Sequence, residues 1–183
     1  MFSIRTCALP DHALLAKYAH GGAYTDCYVT EVARLVSNPT YIEAFYTGRV
    51  FRLERLLLGW FLSKPSTDVQ AKELASGTIS AFSAWRVEER TEAQLLMCDL
   101  SGRTRSWLMA VPLHGRGESP STRLYFGSAV VPIVDEVSGQ SRLGSLFNTL
   151  LGFHKLYSRV LLHTACSRLS PLVTTQATSR SAN

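Results

Sequence analysis

Residues 143–161, LGSLFNTLLGFHKLYSRVL, decide the reading of the fold, because their apolar side chains recur at intervals of three and four. Leu143, Leu146, Phe147, Leu150, Leu151, His154, Tyr157 and Leu161 trace a single stripe, which predicts the longest helix of the chain with one face committed to a core. The surface under that stripe must come from the preceding segment, where the period changes to two. Ile79, Ala81, Trp85 and Val87 share one face of a strand within 78–87, and Glu88 to Glu92 form the polar turn after it. Leu95 to Cys98 make the next strand, and Ser101-Gly102 turns tightly into 103–113. A two-residue turn there sets Cys98 opposite Arg105 and Leu96 opposite Trp107, so that Leu96, Trp107, Met109 and Val111 line one face together. A Gly/Ser/Pro-rich loop over 114–121 leads to the last strand, where Leu124, Phe126 and Val130 alternate with Tyr125, Gly127 and Ala129. A glycine inside that strand marks a bulge or a close approach by another element.

Upstream, residues 11–19 predict a short helix with Asp11 as N-cap and Gly21-Gly22 as its stop. Ala23 to Val32, rich in aromatic and β-branched residues, predicts the first strand. Ser37-Asn38-Pro39 is a helix entry, since a capping side chain precedes a proline whose missing N–H is harmless in the first turn. Leu53, Leu56, Leu57, Trp60 and Phe61 keep helical spacing, so residues 38–62 read as an amphipathic helix broken near Gly48. Thr67 and Gln70 have the spacing of a capping box, and Gly77 sits where a C-terminal glycine belongs. The expected class is α+β: an antiparallel sheet of about five strands packed against the long C-terminal helix. One domain over residues 1–169, with its core at about 22–166, is followed by Thr, Ser, Gln and Asn after Pro171, which read as a disordered tail over 170–183.

A chain of 183 residues with 46% hydrophobic content buries one substantial core and is short for two domains. The densest apolar run, Leu56 to Leu62, is flanked by Arg55 and Lys64 and falls well below the roughly 18 residues of a spanning helix. The first residues lack a long apolar stretch with a small-residue cleavage site, and cytoplasmic residence is expected. Cys7, Cys27, Cys98 and Cys166 never approach a C-x-x-C spacing, so neither a metal site nor a cofactor is expected and the chain reads as reduced. A net charge of +5 raises the question of nucleic acid. The basic residues, however, are dispersed: Arg49, Arg52 and Arg55 on the solvent side of a helix, Arg103, Arg105, Arg123, Arg142 and Arg159 on later elements. A solvated surface accounts for them better than a phosphate-binding stripe.

The order of strand, helices, antiparallel strands and one long C-terminal helix resembles the helix-grip proteins, the START-like superfamily (SRPBCC) of lipid carriers, plant allergen-type proteins and polyketide cyclases. Phe51-Arg52-Leu53-Glu54-Arg55, Gly59-Trp60, the strand Ser80 to Val87, the strand Leu124 to Val130 and Phe153-His154-x-x-Tyr157-Ser158-Arg159 are similar to uncharacterised bacterial proteins related to the DUF2867 group. The resemblance covers residues of about 22–166 and implies a curved sheet gripping the last helix around a cavity. Its implied lining is Trp85, Leu96, Trp107, Met109 and Phe126 from strands, with Phe147, Leu150, His154 and Tyr157 from the helix. All of these positions suit a filled core equally well.

His154 draws attention because an imidazole on an apolar stripe needs a hydrogen-bond partner. Tyr157, three residues on, shares its side of the helix, and Asp26 or Asp99 would supply a carboxylate. Such a set serves either as acid and base or as the anchor of a polar ligand head, against the plainer account of a structural histidine. Cys27 and Cys98, within strands, read as small hydrophobes and not as nucleophiles. Ser128 lacks the G-x-S-x-G elbow, and Gly115-x-Gly117 precedes no helix, which argues against acyl-transfer and nucleotide chemistry of the usual kinds. The leading expectation is a protein that binds an apolar or amphipathic small molecule between sheet and helix. The alternatives are a cyclase- or dehydratase-type enzyme using His154 and Tyr157, and an interaction module whose core is filled.

Overall fold

The computed structural model describes residues 3–52, 66–113, 119–134, 141–142 and 145–169, and the side chains of 133–134, 141–142 and 145–155 fall outside that description. Strand β1 (Arg5–Thr6) and helix α1 (Ala16–His20) precede the nine-residue strand β2 (Tyr24–Val32). Helix α2 (Asn38–Tyr46) follows, residues 49–52 are helical again, and α3 (Asp68–Ser76) comes after them. Five strands then run in succession: β3 (Ala81–Phe82), β4 (Trp85–Arg90), β5 (Gln94–Asp99), β6 (Thr104–Leu113) and β7 (Ser121–Val130). A small pair, β8 (Ile133–Val134) and β9 (Ser141–Arg142), leads into α4 (Ser145–Leu169). The main sheet is antiparallel throughout, with the order β1-β2-β7-β6-β5-β4-β3.

Among the described residues the sheet therefore has seven strands where about five were expected. The two additions, β1 and β3, are two residues long and sit at opposite edges, too short for any period to register. One of them splits the predicted strand over 78–87. Phe82 pairs with Trp85 around Ser83, whose φ of 54° makes a tight turn, so Ala81 is exposed while Phe82 is buried, and the shared face expected of Ile79, Ala81, Trp85 and Val87 is interrupted.

Local signals fared better where their chemistry is local. Ser37 accepts a hydrogen bond from Thr40 N as the N-cap of α2, and the helix stops at Tyr46, just before Gly48. At α3 the Thr67–Gln70 capping box forms, and Gly77 takes the left-handed conformation at φ 84°. The predicted helix over 11–19 shrinks to α1, which starts at Ala16 with no side-chain cap. Its first half is held otherwise: Ala13 N turns back to Pro10 O, and Leu14 N donates to the Gln94 side chain instead of to a helical carbonyl. The part of the 38–62 helix beyond residue 52, including Leu53, Leu56, Leu57, Trp60 and Phe61, and the tail over 170–183 lie outside the described residues.

Both faces of the sheet are buried. On one, Tyr28, Val32, Leu95, Met97, Leu108, Leu124 and Phe126 meet Tyr41, Ile42 and Phe45 of α2, Leu74 of α3, and Leu161, Leu162 and Ala165 of α4. On the other, Cys27, Leu96, Trp107, Met109 and Ala129 are covered by Ala13 and Leu15, with Leu9, Leu14 and Tyr18 at the margin. Gln94 fastens this second layer, since its side-chain oxygen accepts from Trp107 Nε1 at 2.8 Å and Leu14 N at 2.9 Å while its amide donates to His12 O at 3.1 Å. Gly127 is the point of closest approach: a Cβ there would lie 2.9 Å from both Leu15 Cδ2 and Trp107 Cε3. The expectation of a close approach at this glycine is met, and the approaching element is the N-terminal segment.

Candidate functional site

Pairing fixes which expected lining residues share a face. Cys98 pairs with Arg105 and Leu96 with Trp107, as the turn reading required, and Leu96, Trp107 and Met109 do line one face. It is the face turned away from α4. Those three side chains pack under the N-terminal segment and line no space between sheet and helix, because alternation gives the relation between neighbours without saying which side a helix covers. Trp85 and Phe126 lie on the helix side, as expected. The side chains of Phe147, Leu150 and His154 lie outside the described residues, so α4 enters the site through Tyr157, Ser158 and Leu161.

Between the sheet and α4 is a cavity of about 170 Å³. Phe45, Phe51, Trp85, Phe126, Tyr157 and Leu161 form its apolar wall, and Thr104, Ser106, Ser128 and Ser158 supply hydroxyls. The rings of this wall pack on one another, with Phe45 and Phe126 centroids 5.0 Å apart and Phe45 and Phe51 at 6.0 Å. The hydroxyls are ordered by register: Asp26 pairs with Ser128 across β2 and β7, and Ser128 pairs with Ser106 across β7 and β6. Three adjacent strands thus set a carboxylate and two hydroxyls in one row on the helix-facing side. Asp26 Oδ1 accepts from Ser128 Oγ at 2.6 Å and from Ser128 N at 3.1 Å, which fixes the serine rotamer.

Ser158 stands opposite in polarity to its surroundings. Its hydroxyl is fully buried on α4, borders the cavity and makes no hydrogen bond among the described residues. An unmatched buried hydroxyl costs about 1–3 kcal/mol, and native structures hold few of them.

A broad cleft of about 630 Å³ is bounded by Thr6, Cys7, Tyr24, Asp26, Cys27, Tyr28, Leu156 and Arg159. The Arg159 guanidinium lies 5.9 Å from the Tyr28 ring centroid, within cation–π range. Burial, and next the Asp26 charge, push the Tyr28 phenol well above its ordinary value, so it remains a neutral donor. Asp99, the other carboxylate considered as a partner for His154, is committed to the β5–β6 turn. It accepts from Arg103 N at 2.8 Å, from Thr104 N at 3.0 Å and from Ser101 Oγ. Burial raises its pKa, and these bonds together outweigh that and leave it below the usual carboxylate range.

Sequence reasoning missed Phe45, Phe51, Ser106 and Ser158 and weighed Ser128 only as a nucleophile. Tyr41, Ile42 and Phe45 carried a usable signal in their three-and-four spacing, whereas the serine row depends on β2–β7 pairing between residues 102 apart in the chain. Among the described residues no group of three or more His, Cys, Asp or Glu side chains is arranged to hold a metal ion. No described helix is long and apolar enough to cross a membrane. No protein-family model matches the chain, and neither a curated protein nor a solved structure is significantly similar to it.

Proposed function

We propose that this chain is a helix-grip protein that binds a small ring compound carrying one polar group in the cavity between the sheet and α4. The observation that carries the reading is Ser158, a hydroxyl without a partner at the edge of an aromatic-walled space. Strand order supports the helix-grip part: β2 lies beside β7, helices α2 and α3 intervene before β3, and α4 rests on α2 and β2. Size then narrows the ligand. A cavity of about 170 Å³ is close to the roughly 150 Å³ engineered cavity that admits benzene, and well short of the roughly 300–1,000 Å³ of drug-sized sites. A phenol or similar ring fits this volume, and a lipid acyl chain does not. The ligand's polar group would meet Ser158, near Ser128, whose hydroxyl donates to Asp26.

Titration with phenol and with benzene, followed by Trp85 fluorescence and calorimetry, tests the proposal. Phenol should bind more tightly than benzene, and Ser158→Ala should abolish the difference while raising stability by about 1 kcal/mol, because the empty site no longer holds an unmatched hydroxyl. Absence of binding by either compound at millimolar concentration, together with a bare mass for protein purified from its own host, overturns the reading. Tyr157 on the cavity wall also supports a catalytic version of the same site, in which turnover would be lost in Tyr157→Phe with ligand affinity retained.

A further inference from the structure

The N-terminal cysteine pair is unaccounted for by the cavity. Register along β1 and β2, with Arg5 opposite Val29 and Thr6 opposite Tyr28, carries Cys7 to a position opposite Cys27. Cys7 N donates to Cys27 O at 3.0 Å, and the two sulfurs stand 3.2 Å apart, with Cys7 Sγ donating. Both thiols are free. Hydrogen-bonded antiparallel pairs hold their Cα atoms about 5.5 Å apart, inside the range a disulfide spans, so closing the sulfurs to about 2.05 Å asks for a shift of about one ångström. The two residues also differ in access. Cys27 is buried, Cys7 is half-buried, and both line the open cleft beside Asp26, where a small oxidant can enter.

We propose that Cys7 and Cys27 form a reversible disulfide that fastens the N-terminal segment to β2 when the chain meets a peroxide. Cys7 thiolate attacks one oxygen of hydrogen peroxide, the O–O bond breaks, and the departing hydroxide takes up a proton as water, leaving Cys7 as a sulfenic acid. The Cys27 sulfur then attacks the Cys7 sulfur, the S–O bond breaks, and the Cys27 proton leaves with that hydroxyl as a second water. Two electrons pass from the thiol pair to one peroxide, and a dithiol reductant returns both cysteines. The order of events follows from burial, which pushes the Cys27 thiol well up and leaves Cys7 as the sulfur that reacts first. Cys98 and Cys166, both buried in the body of the fold, provide internal controls.

The full chain, treated with hydrogen peroxide, alkylated under denaturing conditions and digested, gives the test by mass spectrometry. The expected result is an intact mass lower by about 2 Da before alkylation, restored to the starting mass by dithiothreitol, and after digestion a linked peptide pair containing Cys7 and Cys27. Cys7→Ser and Cys27→Ser should each remove the loss, while Cys98→Ser and Cys166→Ser should leave it unchanged. Mapping of the unsubstituted chain decides the question even if a Cys27 variant fails to fold. Oxidation of Cys7 to the sulfinic acid without a link, a bond to Cys98 or Cys166, or a dimer joined through Cys7 would each overturn the proposal.

Discussion

Replacing Gln94 by leucine should loosen the N-terminal layer from the sheet, and the size of the loss can be worked from its three bonds. Gln94 is 7% exposed and satisfies the Trp107 indole N–H, the Leu14 N–H and the His12 carbonyl. Leucine fills similar volume and makes none of these bonds. His12 is exposed and its carbonyl can turn to water, so that bond contributes little. Trp107 is 0% exposed, and its stranded N–H should cost about 2 kcal/mol; Leu14, half-buried, adds about 1 kcal/mol. The expected total of about 3 kcal/mol is a large part of the roughly 5–15 kcal/mol that holds a domain. Urea denaturation should show a fall of about 1.5 M in midpoint at a slope of about 2 kcal/mol/M. Adding Trp107→Phe separates the bonds from packing, because the second change removes the donor that Gln94→Leu leaves stranded. The two losses should then sum to more than the double variant shows, by about 1–2 kcal/mol. A loss below about 1 kcal/mol for Gln94→Leu, or additivity within about 0.5 kcal/mol, would refute the view that this side chain fastens the layer.

Gly127→Ala should destabilise by about 1–3 kcal/mol, because the new methyl meets Leu15 and Trp107 at 2.9 Å and the Asp26 carbonyl at 3.0 Å; a thermal melt equal to that of the parent chain would contradict this packing. Glu88 gives a pH prediction. Burial raises its pKa, but hydrogen bonds from Tyr18, Lys17 and Arg105 outweigh that and leave it lowered, as Asp99 is by its turn. Each carboxylate therefore stabilises the fold fully above an ordinary carboxyl pKa of about 4 and loses that contribution as pH falls through its lower folded value. Glu88→Gln and Asp99→Asn should each flatten the acid limb of a stability–pH curve, which an unchanged limb would disprove. Oxidation of the Cys7–Cys27 pair, 20 residues apart, should raise unfolding free energy by about 3 kcal/mol through loop closure, measured by urea melts of the oxidised and reduced chains side by side.

How far the sequence could be read depends on the range over which each choice is made. Ser37, the Thr67–Gln70 box and Gly77 were legible because a cap satisfies backbone groups within a few residues, and the β5–β6 register was legible because a short turn transmits it. Alternation also placed Leu96, Trp107 and Met109 together correctly. What it lacked was a reason to choose a side, since the expected architecture allowed only one covered face. Leu9, Leu14 and Leu15 carry no clear period, yet they roof the second face, and only Gly127 hinted that a segment comes so near. That second roof changes the meaning of the largest buried side chain among the described residues: Trp107, with its indole N–H satisfied by Gln94, is an anchor of the fold and lies on the face away from the proposed site. On that face Asp26, Ser128 and Ser106 become one row only through pairing between distant strands, and Ser158 joins them only because α4 lies across the same sheet. Polarity in this site is thus a product of register, which explains why scanning for motifs along the chain directed attention to His154 and passed over the serines.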